Sequence, residues 1–153
     1  MILVSESGYF ESKLIFALEQ WNQTNNKGLV FSSSTGFLLP NDAVRSPDAS
    51  WISLERWQAL PAAGKKRFPP LTPDFVAGIR SESDDLQVLQ DKMREYIEQG
   101  ARLGWLLDPQ EKKAYIYRAD GSVELVPGWD RPLSGEEVLA GFVFDLEGLR
   151  LPE

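Results

Sequence analysis

The chain has no histidine and no cysteine, and the two absences exclude more chemistry than any single motif adds. Without imidazole, Ser-His-Asp hydrolysis and the most common general base are gone. Without thiols there is no Cys-His proteolysis, no redox dithiol and no disulfide framework, and zinc loses nearly all of its usual ligands. Catalysis is left to carboxylates, Lys, Tyr, Ser or a hard cation such as Mg²⁺ or Mn²⁺ held by oxygen. Long apolar runs are missing as well. Nothing approaches the ~20 residues that cross a bilayer, and the N-terminus lacks the basic region of a secretion signal, so a cytoplasmic protein with no membrane partner is expected. Positive charge is scarce, with 16 Lys and Arg against 23 Asp and Glu and a net charge of -7. Such a balance argues against nonspecific coating of nucleic acid, which depends on cations displacing counterions. It leaves room for an acidic site that binds a divalent ion, because the basic residues are clustered at Lys65, Lys66 and Arg67, then at Arg80, Lys92, Arg94 and Arg102.

With 42% hydrophobic and 11% aromatic residues, 153 residues suit a single domain spanning 1–153. Phe10, Leu14, Leu18 and Trp21 recur at helical spacing from Ser7 to about Asn25, where Asn25, Asn26 and Gly28 give a stop signal. Two strands, from Leu29 and from Gly36 around Ser33 to Thr35, read as a hairpin; a third runs from Asp48 to Ile52. Leu54 to Leu60 is expected to be a short helix capped by Ser53, followed by a long Pro- and Lys-rich loop.

The most informative stretch runs from Pro73 to Asp108: an apolar strand from Asp74 to Arg80, an amphipathic helix, and a second strand from Leu103 to Leu107. Leu86, Leu89, Met93, Tyr96 and Ile97 form the helix's apolar stripe, Asp84 is its expected N-cap, and Gly100 stands where a helix end takes left-handed backbone. The pattern predicts that its two strands are parallel neighbours. Lys113 to Arg118 and Ser122 to Val126 form a hairpin about an Asp-Gly turn, and Ser134 with Glu137 has the spacing of a capped helix start. The expected class is α/β, an αβββαβ core with helices flanking a mixed sheet and a C-terminal β-hairpin.

Strands bearing carboxylates beside a helix bearing a lysine suit metal-dependent phosphodiester cleavage. Asp48 and Asp74 each follow a proline and open a strand, which would place them at equivalent strand starts; an Asp after Pro also commonly caps a turn, the stronger reading for Asp74. Lys92 can reach past the helix edge toward the sheet or stay solvated. Arg80 can carry positive charge on the same strand face as Gly78 or pair with Asp84 or Glu82. Glu11, beside Phe10 on the first helix, can face inward or outward. The cluster from Lys65 to Arg67 can touch a phosphate backbone or stay solvated, and Ser32 to Ser34 has no base to activate it.

At these residues the chain resembles the putative restriction endonuclease family abundant in cyanobacteria, a branch of the PD-(D/E)xK nuclease superfamily. The resemblance rests on SSTGFLLPNDAVRSPDASWISLERWQAL, FPPLTPDFV, LQDKMREYIEQGARLGWLLDP and YIYR, which together cover most of the chain. It implies a Mg²⁺- or Mn²⁺-dependent DNA endonuclease, with Asp48 as metal ligand and Lys92 as a catalytic lysine moved onto the helix. Arg80 stands where the superfamily keeps its strand lysine, and Glu11 corresponds to an acidic residue of the first helix. It also implies that the chain acts as a homodimer. Gly78 departs from the pattern, because the family usually has a glutamate there as second central ligand. Glu11 or Asp74 would then be needed to complete the metal shell, and the alternative is a catalytically degraded module that binds DNA or protein. Family members also carry a helix and strand ahead of the first core helix, and Met1 to Val4 would begin inside that strand, so the expectation is either a sheet that lacks part of an edge or a shortened form of the chain.

Overall fold

The computed structural model describes residues 5–152, and the expected strand start at Met1 to Val4 lies outside them. Helix α1, Ser5–Asn25, buries Phe10, Leu14 and Leu18 on one face, as their spacing predicts. Its end is anchored by Asn22, whose amide donates to the Gly28 carbonyl at 2.9 Å and accepts from Trp51 Nε1 at 3.0 Å. Asn26, with φ of 50°, turns the chain into β1, Gly28–Ser32. Only glycine fits at position 28, since a Cβ there would lie 2.3 Å from the Trp51 ring.

After β1 come β2 (Phe37–Leu38), β3 (Val44–Arg45), β4 (Ala49–Ser53), α2 (Leu54–Gln58), α3 (Ala62–Lys65) and β5 (Phe75–Ile79). Helix α4 (Leu86–Glu98) leads to β6 (Leu103–Asp108), β7 (Lys113–Arg118), β8 (Val123–Val126), β9 (Leu133–Ser134), β10 (Val143–Phe144) and a 3-10 helix, Leu146–Leu149. Six strands form one sheet in the order β1-β4-β5-β6-β7-β8. Strands β5 and β6 are parallel, as expected of a strand-helix-strand unit, and the other neighbours are antiparallel. The αβββαβ core is therefore α1, β1, β4, β5, α4 and β6, a mixed sheet between two layers. Against one face pack α1 and the C-terminal segment, including Leu133, Phe142 and Leu146. Against the other pack α4 through Met93 and Tyr96, with Phe37 and Leu39. All six residues of β6 are buried, as befits a strand covered on both faces.

Several local expectations change once tertiary pairing is in place. The hairpin expected around Ser33 to Thr35 does not form: β1 pairs with β4 over five residues, from Gly28 with Ser53 to Ser32 with Ala49, and β2 pairs with β3. The turn itself exists, with the Thr35 N–H donating to the Ser32 carbonyl at 3.2 Å. It sends β2 across the sheet face instead of along its edge, so that Phe37 is fully buried and meets Phe31 edge-on at 5.6 Å. Asp85, not Asp84, caps α4, accepting from the Gln87 N–H at 3.0 Å. Asp84 instead closes the preceding turn by accepting from the Ser81 N–H at 2.8 Å and its hydroxyl at 2.9 Å. The expected long loop holds the short helix α3. Ser134 begins no helix; it belongs to β9, which pairs with β10, and its hydroxyl accepts from the Glu136 N–H at 2.9 Å. A hairpin there serves the core better than a helix, because it lays Phe142 and Phe144 over the Trp105 ring at 5.8 and 6.3 Å.

Gly100 has the expected positive φ, 113°, and β7 and β8 form the expected hairpin, with Asp120 accepting from the Ser122 N–H at 2.8 Å in its turn. Among the described residues no helix is long and apolar enough to cross a membrane.

Candidate functional site

Where β4 begins and β5 ends, the sheet, α1 and α4 enclose a cleft of about 330 Å³. Its chemistry comes from Glu11, Asp48, Asp84, Lys92 and Tyr96, around the bare backbone of Gly78. The sheet register accounts for most of this. Ala49 pairs with Ala77 in the antiparallel β4–β5 ladder, so Asp48, one residue earlier, lies beside Gly78 and accepts from the Ile79 N–H at 2.6 Å. The segment before Asp48 is strapped to α4: Arg45 pairs with Glu95 at 2.5 Å, and Asn41 donates to the same carboxylate at 3.1 Å.

The cleft is electrostatically one-sided. Burial pushes the Asp48 carboxyl up to about 6, against the pull of the Ile79 N–H. The charges of Glu11 and Asp84 push it the same way as burial, and Lys92 opposes them. A carboxylate in this position is short of positive charge, and a bound cation or an approaching lysine would stabilise its ionised form. Glu11 accepts from the Ser33 N–H at 3.3 Å through one carboxylate oxygen, and its other oxygen has no hydrogen-bond partner among the described residues.

Gly78 is required neither by backbone nor by space. It does not adopt positive φ, and a Cβ there would meet Leu106 Cδ1 at 3.7 Å and Met93 Sδ at 3.8 Å, ordinary contacts. The strand therefore accepts a side chain at this position and lacks one beside Asp48.

Two residues singled out by sequence are not brought here. Asp48 and Asp74 do not share equivalent strand starts, because β4 and β5 are antiparallel and begin at opposite ends of the sheet. Asp74 lies at the far end of β5, 1% exposed, accepting from the Ser53 N–H at 2.9 Å and facing Arg56 at 3.0 Å and Arg102 at 3.7 Å. It clamps β5 to the starts of α2 and β6 and does not line the cleft. Arg80 turns away toward β6, where its guanidinium meets the fully buried Asp108 at 2.9 Å and Glu111 at 3.2 Å. The hydrogen bond to Asp108 raises the Arg80 pKa further above its ordinary value. Its partners are thus Asp108 and Glu111, not Asp84 or Glu82 through their carboxylates. Lys65, in the basic loop, lies over the Trp57 ring at 5.8 Å, away from the cleft.

Conversely, Asp84 and Tyr96 belong to the cleft although the first reads as a helix cap and the second as part of a core stripe. For Tyr96 the available signal was its position one turn after Lys92, which puts both side chains on one helix face. A larger cavity of about 600 Å³ adjoins the cleft and shares Ser7 and Ser81 with it. It contains Arg80, already paired with Asp108 and Glu111, and neither Asp48 nor Lys92, which meet in the smaller space.

Among the described residues no group of three or more acidic side chains is arranged to hold a metal ion. Asp48 with Glu11 fits a cation only if oxygens from outside the protein complete its shell. That arrangement is within the habit of Mg²⁺, which is commonly held by one or two carboxylates together with substrate phosphates and water.

A solved structure described as a putative nuclease belonging to DUF820, from Anabaena variabilis ATCC 29413, superimposes on this fold with a TM-score of 0.81 at 16% identity. The match covers 97% of this chain and 82% of that one, and it establishes the likeness of fold. No curated protein matches the sequence. A model of the Uma2 family, whose description is "putative restriction endonuclease", matches residues 3–147, a span that includes the whole six-stranded sheet and helices α1 to α4, and the chain belongs to that family.

Proposed function

We propose that this chain is a divalent-cation-dependent DNA endonuclease that hydrolyses a phosphodiester in the cleft between β4 and α4. The observation that carries the reading is the convergence of Asp48 and Lys92, from separate elements, on one acidic cleft beside Gly78. Asp48 and Glu11 would hold Mg²⁺ or Mn²⁺, with phosphate oxygens and water completing the shell. When bound, the cation supplies Lewis acidity toward the phosphoryl group and a more acidic water. Asp48 must be ionised for this, so protons compete with the cation and binding of the metal at limiting concentration weakens as pH drops through about 6. Saturating metal, which holds the carboxylate ionised, moves the loss of activity to lower pH. Lys92 is exposed at the mouth of the cleft, where its ammonium offsets negative charge building on the phosphate. Arg80 is left out of this scheme because its guanidinium is committed to Asp108 and Glu111. A homodimer would present one such cleft to each DNA strand.

Gly78 favours a second reading, a degraded nuclease that binds DNA or protein without cutting. Plasmid nicking with Mg²⁺ and with Mn²⁺ separates the two without knowledge of a target sequence. The endonuclease reading expects nicking that disappears in Asp48→Ala and Lys92→Ala. A folded chain that nicks with neither ion yet binds DNA belongs to the second.

A further inference from the structure

We infer that the Tyr96 hydroxyl is a substrate contact in this cleft, donating a hydrogen bond to a non-bridging oxygen of the phosphate that lies beside Asp48 and Lys92. The inference rests on the nuclease reading and adds to it a residue that the motif does not include. Tyr96 is 5% exposed, packs in the core and lines the cleft, and the Asp48 charge acts on its phenol, which puts the hydroxyl end on the side of the cleft. Buried tyrosine hydroxyls normally find a partner, because leaving a polar group unpaired away from water is unfavourable. The Tyr96 hydroxyl makes no hydrogen bond to any described residue, nor is it among the fully enclosed unpartnered atoms, which are those of Ser50, Trp105 and Trp129. It is therefore open to whatever enters the cleft.

The surroundings specify what that ligand must be. The charged groups that act on the phenol are Arg45, Asp48 and Glu95, and Arg45 is already paired with Glu95. Asp48 is near enough to raise the phenol's pKa but is not hydrogen-bonded to it, its Oδ2 taking the Ile79 N–H instead. Burial, the largest influence, keeps the phenol protonated well above the ordinary tyrosine range, so it serves as a neutral donor and gives up no proton in the reaction. Lys92 lies one turn earlier on the same face of α4, which sets a cation at the mouth of the cleft and a neutral donor deeper inside, on side chains rooted about 5–6 Å apart. Two donors of this kind on one wall suit two oxygens of a single phosphate, and the carboxylates opposite require that the phosphate arrive with its cation.

Tyr96→Phe tests this, because it removes the hydroxyl and keeps the ring that packs in the core. The measurements are plasmid nicking with Mn²⁺, and binding in Ca²⁺ of a short DNA duplex ending in a 5′-phosphate against the same duplex ending in a hydroxyl. Melting temperature and Mn²⁺ affinity without DNA are expected to stay unchanged. The kcat/KM for nicking and the preference for the phosphate-ended duplex are each expected to fall by about 10-fold or more, as for loss of a hydrogen bond to a charged group. Unchanged nicking and unchanged preference in Tyr96→Phe overturn the inference while wild-type nicking keeps the nuclease reading. A wild type that does not nick, but whose preference for the phosphate end disappears in Tyr96→Phe, keeps the contact and ends the nuclease reading. A wild type that neither nicks nor distinguishes the two duplex ends overturns both.

Discussion

Two Pro-Asp pairs occupy opposite ends of the same antiparallel ladder, and their carboxylates meet opposite conditions. Asp74 is compensated on every side, by the Ser53 N–H, Arg56 and Arg102. Asp48 is raised in its affinity for a proton first by burial and then by the charges of Glu11 and Asp84, against which stand, among the described residues, the Ile79 N–H and the charge of Lys92. A carboxylate whose charge is matched by the fold serves as a clamp. One whose charge the fold leaves unmatched is ready to be completed by a ligand. The dipeptide is the same in both places; what differs is the end of the sheet at which it sits.

The contrast breaks most sharply in activity. Asp48→Ala is expected to lower nicking by about 10²-fold or more, whereas Asp74→Asn, in a chain that still folds, leaves the cleft's chemistry in place. Equal losses in kcat from the two substitutions, measured on folded protein, would erase the distinction. The reverse ordering holds for stability. Asp74→Ala leaves the Ser53 N–H and two guanidinium groups without their buried partner and should destabilise by about 2–4 kcal/mol in denaturant unfolding, an amount moderated by the partial exposure of both arginines.

A third effect concerns pH. The Asp48 carboxyl is raised in the fold from 3.8 to about 6, so the stability linked to its protonation is fully present below about 3.8 and is lost as pH rises through about 6. Asp48→Asn keeps an oxygen acceptor for the Ile79 N–H and removes the charge. Its stability relative to wild type should therefore climb by about 2 kcal/mol between pH 4 and pH 8, as measured by unfolding at each pH. A flat difference would mean that Asp48 is better compensated than its neighbours indicate. The smallest expected effect belongs to Gly78→Glu. A side chain there meets only Leu106 and Met93 at ordinary contact distance, so folding should tolerate it and the added carboxylate should strengthen Mn²⁺ binding by about tenfold in calorimetry, with faster nicking. Wild-type nicking as fast as that of Gly78→Glu would mean that Gly78 is no defect.

Helices α1 and α4, the parallel β5–β6 pair, the β7–β8 hairpin and the left-handed Gly100 were all legible in the order of residues. Each depends on local spacing or on a turn residue whose backbone preference travels with it. The partner of β1 was not legible, because the turn at Ser33 to Thr35 is compatible with strands lying side by side or crossing, and only burial of Phe37 against the sheet decides between them. Ser134 misled for a similar reason: the capping pattern is local, but the need to cover Trp105 is not.

The sequence by itself determined the reagents. With no imidazole and no thiol, any chemistry must run on carboxylates, Lys, Tyr, Ser or a hard cation, whatever the fold. It also determined that position 78 carries no carboxylate. Tertiary structure alone decided which reagents meet. The antiparallel register placed Asp48 beside Gly78 and sent Asp74 to the far end, Asp108 drew Arg80 out of reach, and the packing of α4 left the Tyr96 hydroxyl facing the cleft. The charge a side chain encounters depends on contacts between residues far apart in the chain and on how much water burial removes, and neither is written in the spacing of neighbours.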